Sequence, residues 1–136
     1  MSGAPPAAAS RPLSFLAFDF GTRRVGVASG NTLLKQAAAL KTIAAEGDAR
    51  FEAIGRLLAQ WRPDALVVGI PYHPDGAPHD NTRRAQRFAR QLQGRFGLPV
   101  HEVDERYSTT EALSGGAADV DAQSAAIILD QYLRSL

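Results

Sequence analysis

The sequence predicts an α/β fold in which a mixed β-sheet is flanked by helices. Three observations indicate it: an N-terminal hairpin pattern, a wholly apolar run of the kind found in buried parallel strands, and helix-period segments that alternate with the later strands. The chain has 136 residues, which suffice for one five-stranded domain and are too few for two full lobes. We therefore expect a single domain over residues 13–136.

The hairpin is predicted from two β-type segments joined by a tight turn. Residues 13–20 (LSFLAFDF) are apolar and aromatic, and residues 24–30 (RVGVASG) alternate in character. A turn at residues 21–23 would join them as antiparallel strands. A third strand is predicted at residues 38–43.

Helix and strand alternate through the rest of the chain. Residues 48–61 place apolar side chains on one face of a helix, with Asp48 as a plausible N-terminal cap. Residues 65–70 (ALVVGI) form the apolar run typical of a parallel strand covered on both faces. A second helix, a short strand at 100–103 and a last helix over roughly 121–134 complete the order.

Composition restricts the classes of protein that fit. Hydrophobic residues make up 45% of the chain and charged residues 21%, as in soluble globular proteins. The absence of cysteine excludes disulfides, thiolate metal sites and a cysteine nucleophile. Residues 1–12 are small and proline-rich, which predicts a disordered tail, and no apolar run reaches the roughly 20 residues of a membrane helix. We expect a cytoplasmic protein with no membrane partner.

Charge is unevenly distributed, although the net charge is only +1. Residues 81–97 contain no acid and five arginines: Arg83, Arg84, Arg87, Arg90 and Arg95. Residues 102–121 instead carry six acids and one arginine, Arg106. At 100° per residue, most arginines of the second helix fall opposite its apolar stripe. That placement fits either a solvated face or a surface that binds polyanions.

One acidic residue occupies a costly position. Asp19 lies inside the apolar first strand, where an ionised side chain is destabilising unless a cation, a hydrogen-bond network or a catalytic role compensates it. Asp104 and Glu105 follow the last strand. Sheets with parallel strands place their sites at the carboxyl ends of those strands. The sequence therefore predicts acids at this edge of the sheet.

A helical wheel distinguishes the acids of the last helix. Asp121 falls on the apolar stripe with Ala125, Ile128 and Tyr132, whereas Asp130 falls on the opposite side. The stripe is expected to face the sheet, so Asp121 should face it too. Capping of the helix N-terminus is an alternative role for this carboxylate and does not exclude metal binding.

Three carboxylates from distant parts of the sequence would then converge: Asp19, either Asp104 or Glu105, and Asp121. Mg²⁺ and Mn²⁺ prefer oxygen ligands. Two such ions can activate a water and stabilise the leaving oxygen in phosphodiester cleavage. The pattern thus fits a metal-dependent nuclease.

Four segments carry a resemblance to a known family: FDFGTRRVGVA, VVGIPYHPDG, VDERYSTTEA and DAQSAAIILDQYL. In this order they resemble the YqgF/RuvX family over residues 16–133. The resemblance implies an RNase H-like five-stranded mixed sheet and a hydrolase site that uses Mg²⁺ or Mn²⁺. It also implies trimming of the 5′ end of pre-16S ribosomal RNA, with Holliday junction resolution as the alternative. The family's acids fall on Asp19, Glu105 and Asp121.

The segment before the last helix departs from the family pattern. Members usually carry a longer, lysine-rich segment there, whereas this chain has LSGGAADV without a basic residue. We therefore expect nucleic acid to be held by Arg23 and Arg24, by Arg106 and by the arginines of the second helix. Salt bridges to nearby acids such as Asp19 are the alternative role for these side chains.

Functions of other classes remain to be weighed. A non-catalytic module that docks on ribosomal RNA through the second helix is one alternative. An actin-like or sugar-kinase ATPase shares the Asp-x-Gly-Thr turn but needs a second lobe, for which the chain has no room. The sequence does not distinguish structured RNA from branched DNA as the partner, or a monomer from a homodimer.

Overall fold

The molecule is built around one mixed β-sheet. The computed structural model of the chain describes residues 11–105 and 120–136. Within these residues the elements are β1 (Ser14–Phe20), β2 (Val25–Asn31), β3 (Ala37–Ile43), α1 (Gly47–Trp61), β4 (Ala65–Ile70), α2 (Asp80–Phe96), β5 (Val100–Asp104) and α3 (Val120–Arg134). The five strands lie in the order β3-β2-β1-β4-β5. The predicted five-stranded mixed sheet flanked by helices is confirmed.

The central strand, β1, combines both kinds of strand pairing. It pairs antiparallel with β2 across the predicted hairpin and parallel with β4. β4 also pairs parallel with β5, and β3 closes the opposite edge through antiparallel pairing with β2. All six residues of β4 are buried, as its apolar sequence predicts for a strand covered on both faces.

Two hydrophobic cores lie on opposite faces of the sheet. Side chains alternate along a strand, so Leu16 and Phe18 of β1 face one core and Phe15 and Ala17 face the other. The first core is covered by α1 and α2, and the second by α3. The layers are therefore α1 and α2, then the sheet, then α3.

The helix α1 begins differently from the prediction. Asp48 does not cap it, because the helix starts at Gly47 and its N-cap residue is Glu46, which makes no side-chain cap hydrogen bond. Asp48 instead lies in the first turn, where its Oδ1 is 3.5 Å from Nη2 of Arg95. This exposed ion pair links α1 to the end of α2.

The helix α2 starts with a complete capping box at His79. The His79 Nδ1 atom accepts a hydrogen bond from the Asn81 backbone N–H at 3.1 Å, and the His79 N–H donates to Thr82 Oγ1 at 3.0 Å. These bonds satisfy backbone donors that a helix N-terminus otherwise leaves unpaired. The Thr82 hydroxyl also donates to the Pro71 carbonyl, which holds the start of α2 near the carboxyl end of β4.

Several predicted features lie at the limits of the described residues. Of the proposed tail over residues 1–12, the described part includes Arg11, whose Nη2 is 3.1 Å from Asp64 Oδ1. The predicted nucleic-acid contact Arg106 and residues 113–119 of the segment LSGGAADV lie outside the described residues. Over residues 11–105 and 120–136, none of the helices has the length and apolar character needed to cross a membrane.

Candidate active site

The Asp19 carboxyl group points to the face of the sheet that α3 covers. Asp19 has the same parity along β1 as Phe15 and Ala17, which belong to the core under α3. It is the second-last residue of β1. Its side chain therefore lies at the carboxyl edge of the central strand, on the α3 side.

Two glycines flank Asp19 in the sheet. The strand register pairs it with Gly26 of β2 and with Gly69 of β4. Neither neighbour has a side chain that could cover the Asp19 carboxyl group. Groups from other elements can therefore occupy the space above the sheet at Gly26, Asp19 and Gly69.

Glu105 fills the space above Gly69. A Cβ atom added at Gly69 would lie 2.6 Å from Glu105 Oε1 and 2.5 Å from Ile128 Cδ1. Glu105 therefore lies beside Asp19, to which it is hydrogen-bonded. A side chain at this position would have to displace the Glu105 carboxylate and the end of Ile128.

The alternation of side chains along the strand places Glu105 and the alternate ligand, Asp104, on opposite faces of the sheet. Asp104 pairs in register with Ile70, whose side chain packs in the core under α1 and α2. Val103 instead packs in the core under α3. The α3 side therefore receives Glu105, and Asp104 follows the parity of the opposite face.

Gly26 brings the start of α3 against the sheet. A Cβ atom there would lie 1.8 Å from the Asp121 backbone oxygen and 2.8 Å from the Ala122 nitrogen, so only glycine permits this approach. Asp121 is the second residue of α3 and lies within its first turn. Its charge is close enough to Asp19 to raise the pKa of Asp19.

The acids destabilise one another's charged forms. Burial raises the pKa of Asp19 to about 8, and the charges of Glu105 and Asp121 add to this effect. Burial also raises the pKa of Glu105, with a further contribution from Asp104, while the hydrogen bond from Asp19 opposes the rise. The raised pKa values and the hydrogen bond favour one proton held between the two carboxyl groups, donated by Asp19 to Glu105. Such a pair is stabilised either by a shared proton or by a cation.

The carboxylate oxygens suit a hard divalent cation, but the three carboxylates are not gathered around one point in this arrangement. Over residues 11–105 and 120–136, no three histidine or acidic side chains form a ready group for a metal ion. Asp19 and Glu105 are together, whereas Asp121 contacts Arg24, with Arg24 Nε 3.2 Å from Asp121 Oδ2. The oxygen donors are thus a preformed pair and a third carboxylate held by an arginine, which fits the ligand preference of Mg²⁺ and Mn²⁺.

An open groove of about 490 Å³ lies beside Asp121. Its lining residues are Gly21, Thr22, Arg23, Arg24 and Asp121. Both arginines predicted to hold phosphate therefore border the same space as one of the predicted acids. Asp121, rather than the proposed Asp19, is the salt-bridge partner of Arg24.

A buried arginine supports this groove and was missed at the level of sequence. Arg50 of α1 is 5% exposed, and its Nε donates to the Ala45 carbonyl at 2.8 Å. Its Nη2 donates to the Thr22 carbonyl at 3.1 Å, and its guanidinium lies over the Phe20 ring. Arg50 therefore fixes the turn that carries Arg23 and Arg24. A helical wheel of α1 indicates the burial of Arg50, because Arg50 falls on the apolar stripe with Ile54.

The arginines of α2 lie on the other side of the molecule from the acids. The apolar stripe of α2 packs in the core shared with α1, on the face of the sheet opposite α3. An open groove of about 380 Å³ on its outer surface is lined by Arg83, Arg84, Arg87 and Arg90. The structure thus brings Arg24 to the acids and separates the α2 arginines from them.

The mixed sheet, with its acids at the carboxyl edge under α3, defines an RNase H-like fold. RuvC from T. thermophilus, solved in complex with a Holliday junction substrate, has this fold. Its TM-score is 0.55 at 16% identity, over 90% of this chain and 94% of that one.

The chain belongs to the RuvX family. The family model, described as Holliday junction resolvase, matches residues 13–135. A Polaromonas sp. (strain JS666) protein is 69% identical over 123 residues, covering 90% of this chain and 89% of the relative. A Burkholderia pseudomallei (strain 668) protein is 56% identical over 137 residues, covering 96% and 94%. Both relatives are named for a proposed pre-16S rRNA nuclease activity.

Proposed function

We propose that this chain is a cytoplasmic, Mg²⁺- or Mn²⁺-dependent nuclease that processes the 5′ end of pre-16S ribosomal RNA. The observation that carries the proposal is the hydrogen-bonded pair of Asp19 and Glu105 above Gly69, with Asp121 alongside. The names of the close relatives support the substrate. Their identities of 69% and 56% extend over most of each chain.

The three carboxylates would hold the metal and the arginines would hold the substrate. Asp19 and Glu105 supply oxygens from the sheet edge, and Asp121 supplies oxygens from α3. When bound, one or two divalent ions supply an activated water and neutralise the charge that develops on the phosphate. Arg24 would then leave Asp121 and turn to a phosphate oxygen, since a guanidinium binds phosphate through paired hydrogen bonds.

The energetic argument favours a cation at this site. Two carboxyl groups held together in a partly buried position require a proton or a positive charge between them. Both flanking strand positions are glycines, so no neighbouring side chain of the sheet packs on the Asp19 carboxyl group. A purely structural role for Asp19 would be better served by an apolar residue of similar size.

A second candidate is resolution of four-way DNA junctions. The description of the family model favours it, as does the fold shared with RuvC bound to a Holliday junction. This activity would use the same acids and would require two copies of the chain to cut both strands. A binding module without catalysis would use the arginines alone.

One experiment separates these candidates. The full chain is incubated with a 5′-extended 16S precursor RNA and, in parallel, with a four-way DNA junction, each with Mg²⁺, Mn²⁺ or EDTA. The proposed function predicts metal-dependent cleavage of the RNA at its 5′ extension. Symmetric cleavage of the junction with intact RNA would favour the second candidate. Salt-sensitive RNA binding without cleavage or metal binding would favour the module.

A further inference from the structure

The outer surface of α2 is a dense basic surface with few internal partners. Over Asp80–Phe96 the only acid is Asp80 at the start. Its contact with Arg83 is a 3.4 Å pair between side chains that are 84% and 67% exposed, and such pairs are weak. Among the residues that the structure describes, Arg87 and Arg90 make no ion pair. We call the surface of Arg83, Arg84, Arg87 and Arg90 the α2 arginine surface.

The α2 arginine surface follows a line along the helix. Arg83, Arg87 and Arg90 lie within about 60° of one another on the helical wheel, opposite the stripe that packs on the sheet. They rise along the axis by about 10 Å in total. A row of exposed guanidinium groups with this extent is suited to successive phosphates of a nucleic-acid backbone.

The position of α2 separates this surface from the acids. Asp19 faces α3, whereas α2 covers the opposite face of the sheet. A helix with its side chains is about 10–12 Å across, so the α2 layer and the sheet both lie between the arginines and Asp19. However, Thr82 in the first turn of α2 donates to the carbonyl of Pro71, the residue after β4, so this turn is near the edge that carries the acids.

We propose that the α2 arginine surface binds a second segment of the RNA substrate, remote from the scissile phosphate and reached around the carboxyl edge of the sheet. This inference rests on the proposed function and extends it from the site to the class of substrate. The RNA must be long or structured enough to contact both faces of the domain. The surface then contributes to substrate affinity.

The test measures RNA binding without cleavage, in EDTA. Fluorescence anisotropy is recorded over a series of salt concentrations with the 5′-extended precursor RNA and with a single strand of about eight nucleotides, which fits one binding site. The wild type is compared with the triple variant Arg83→Gln, Arg87→Gln, Arg90→Gln. Arg95→Gln is the matched control on the same helix, because Arg95 is already engaged by Asp48 and the Phe51 ring.

The proposal predicts that the triple variant binds the precursor RNA with a smaller salt dependence than the wild type. Each lost phosphate contact lowers the slope of log K against log salt by about 0.7–0.9, so the triple variant should lose about 2. Arg95→Gln should leave the slope unchanged. The triple variant should weaken the short strand by a smaller factor than the precursor RNA, because the short strand can bind at Arg23 and Arg24 instead. An unchanged slope in the triple variant, or weakening of the short strand by the same factor as the precursor RNA, would overturn the proposal.

A parallel cleavage assay separates this inference from the proposed function. If the wild type cleaves no RNA but the slope change is found, the nuclease function fails and the RNA surface stands. If the wild type cleaves the precursor and the triple variant binds it with an unchanged slope, the nuclease function stands and the surface proposal fails.

Discussion

Arg24 Nε lies 3.2 Å from Asp121 Oδ2, which joins the β1–β2 turn to the first turn of α3. The contact places a positive charge on the carboxylate that we propose as the third metal ligand. Arg24 and a divalent cation are therefore alternative partners of Asp121. The release of Arg24 on metal binding would make it available to the phosphate of the substrate.

Arg24→Gln is expected to have opposite effects on metal and on RNA. Removing the competing guanidinium should tighten Mn²⁺ binding by up to about fivefold, the range expected for a partly exposed ion pair. It should weaken RNA binding, because a phosphate partner is lost. Isothermal titration with Mn²⁺ measures the first effect and anisotropy the second.

Arg23→Gln is the matched control for that experiment. Arg23 borders the same groove and carries the same charge, but its side chain is not the one paired with Asp121. Both variants reduce the local positive charge equally. If Mn²⁺ binds Arg24→Gln no more tightly than Arg23→Gln, competition between Arg24 and the metal is excluded.

In the metal-free protein, the stability of Asp19→Asn relative to the wild type should increase as the pH rises. The pKa of Asp19 is about 8 in the folded state, against its ordinary value of 3.8. The favourable contribution of the protonated form is therefore complete below pH 3.8 and is lost as the pH rises through 8. The variant has no such proton, so its advantage should grow by at least about 1 kcal/mol between about pH 5 and pH 8.

Urea unfolding in EDTA at several pH values measures this difference. Glu52→Gln, which alters an exposed carboxylate on α1, is the control for a change of net charge. A difference between Asp19→Asn and wild type that stays constant with pH would contradict the hydrogen-bonded, protonated state of Asp19.

Much of the candidate site was predictable because its signals are local. Asp19 stands out as an acid in an apolar strand, and Asp121 stands out on the apolar stripe of α3. The wheel also showed which arginines of α2 face solvent. It could not show on which side of the sheet α2 packs, because that depends on strand order and crossover handedness.

The two glycines illustrate what only the register reveals. In the sequence, Gly26 and Gly69 are isolated glycines in β-type segments. Such glycines indicate close packing, but the sequence does not show which element packs against them. The strand pairing shows that both flank Asp19. Their role depends on contacts with Asp121 and Glu105, which are distant in sequence.

Gly26→Ala should separate α3 from the sheet. The new Cβ atom would meet the Asp121 backbone, which cannot rotate away as a side chain could. We expect a loss of about 2–3 kcal/mol in unfolding free energy and weaker metal binding. Gly94→Ala is the control, because a Cβ at that α2 position meets nothing within 4 Å, and alanine should stabilise the helix by about 0.5–1 kcal/mol. Equal stability of the two variants would contradict the close approach of α3.

Arg50→Gln should loosen the turn that holds Arg24. The variant loses two hydrogen bonds to the carbonyls of Ala45 and Thr22, which should cost about 1–3 kcal/mol. Arg56→Gln, an exposed position on the same helix, should change stability by less than about 0.5 kcal/mol. Hydrogen exchange of residues 21–24 measures the loosening directly. Unchanged exchange there, despite reduced global stability, would show that Arg50 does not support the turn.

The central claim is that Asp19 serves metal-dependent cleavage of RNA. The most direct test is the single-turnover rate at which Asp19→Asn cleaves the 5′-extended 16S precursor RNA in Mg²⁺ and in Mn²⁺, with the fold checked by circular dichroism. We predict that the variant is folded and that the rate falls by at least about a hundredfold in either metal. Cleavage by the folded variant at the wild-type rate, with the same metal requirement, would contradict the account.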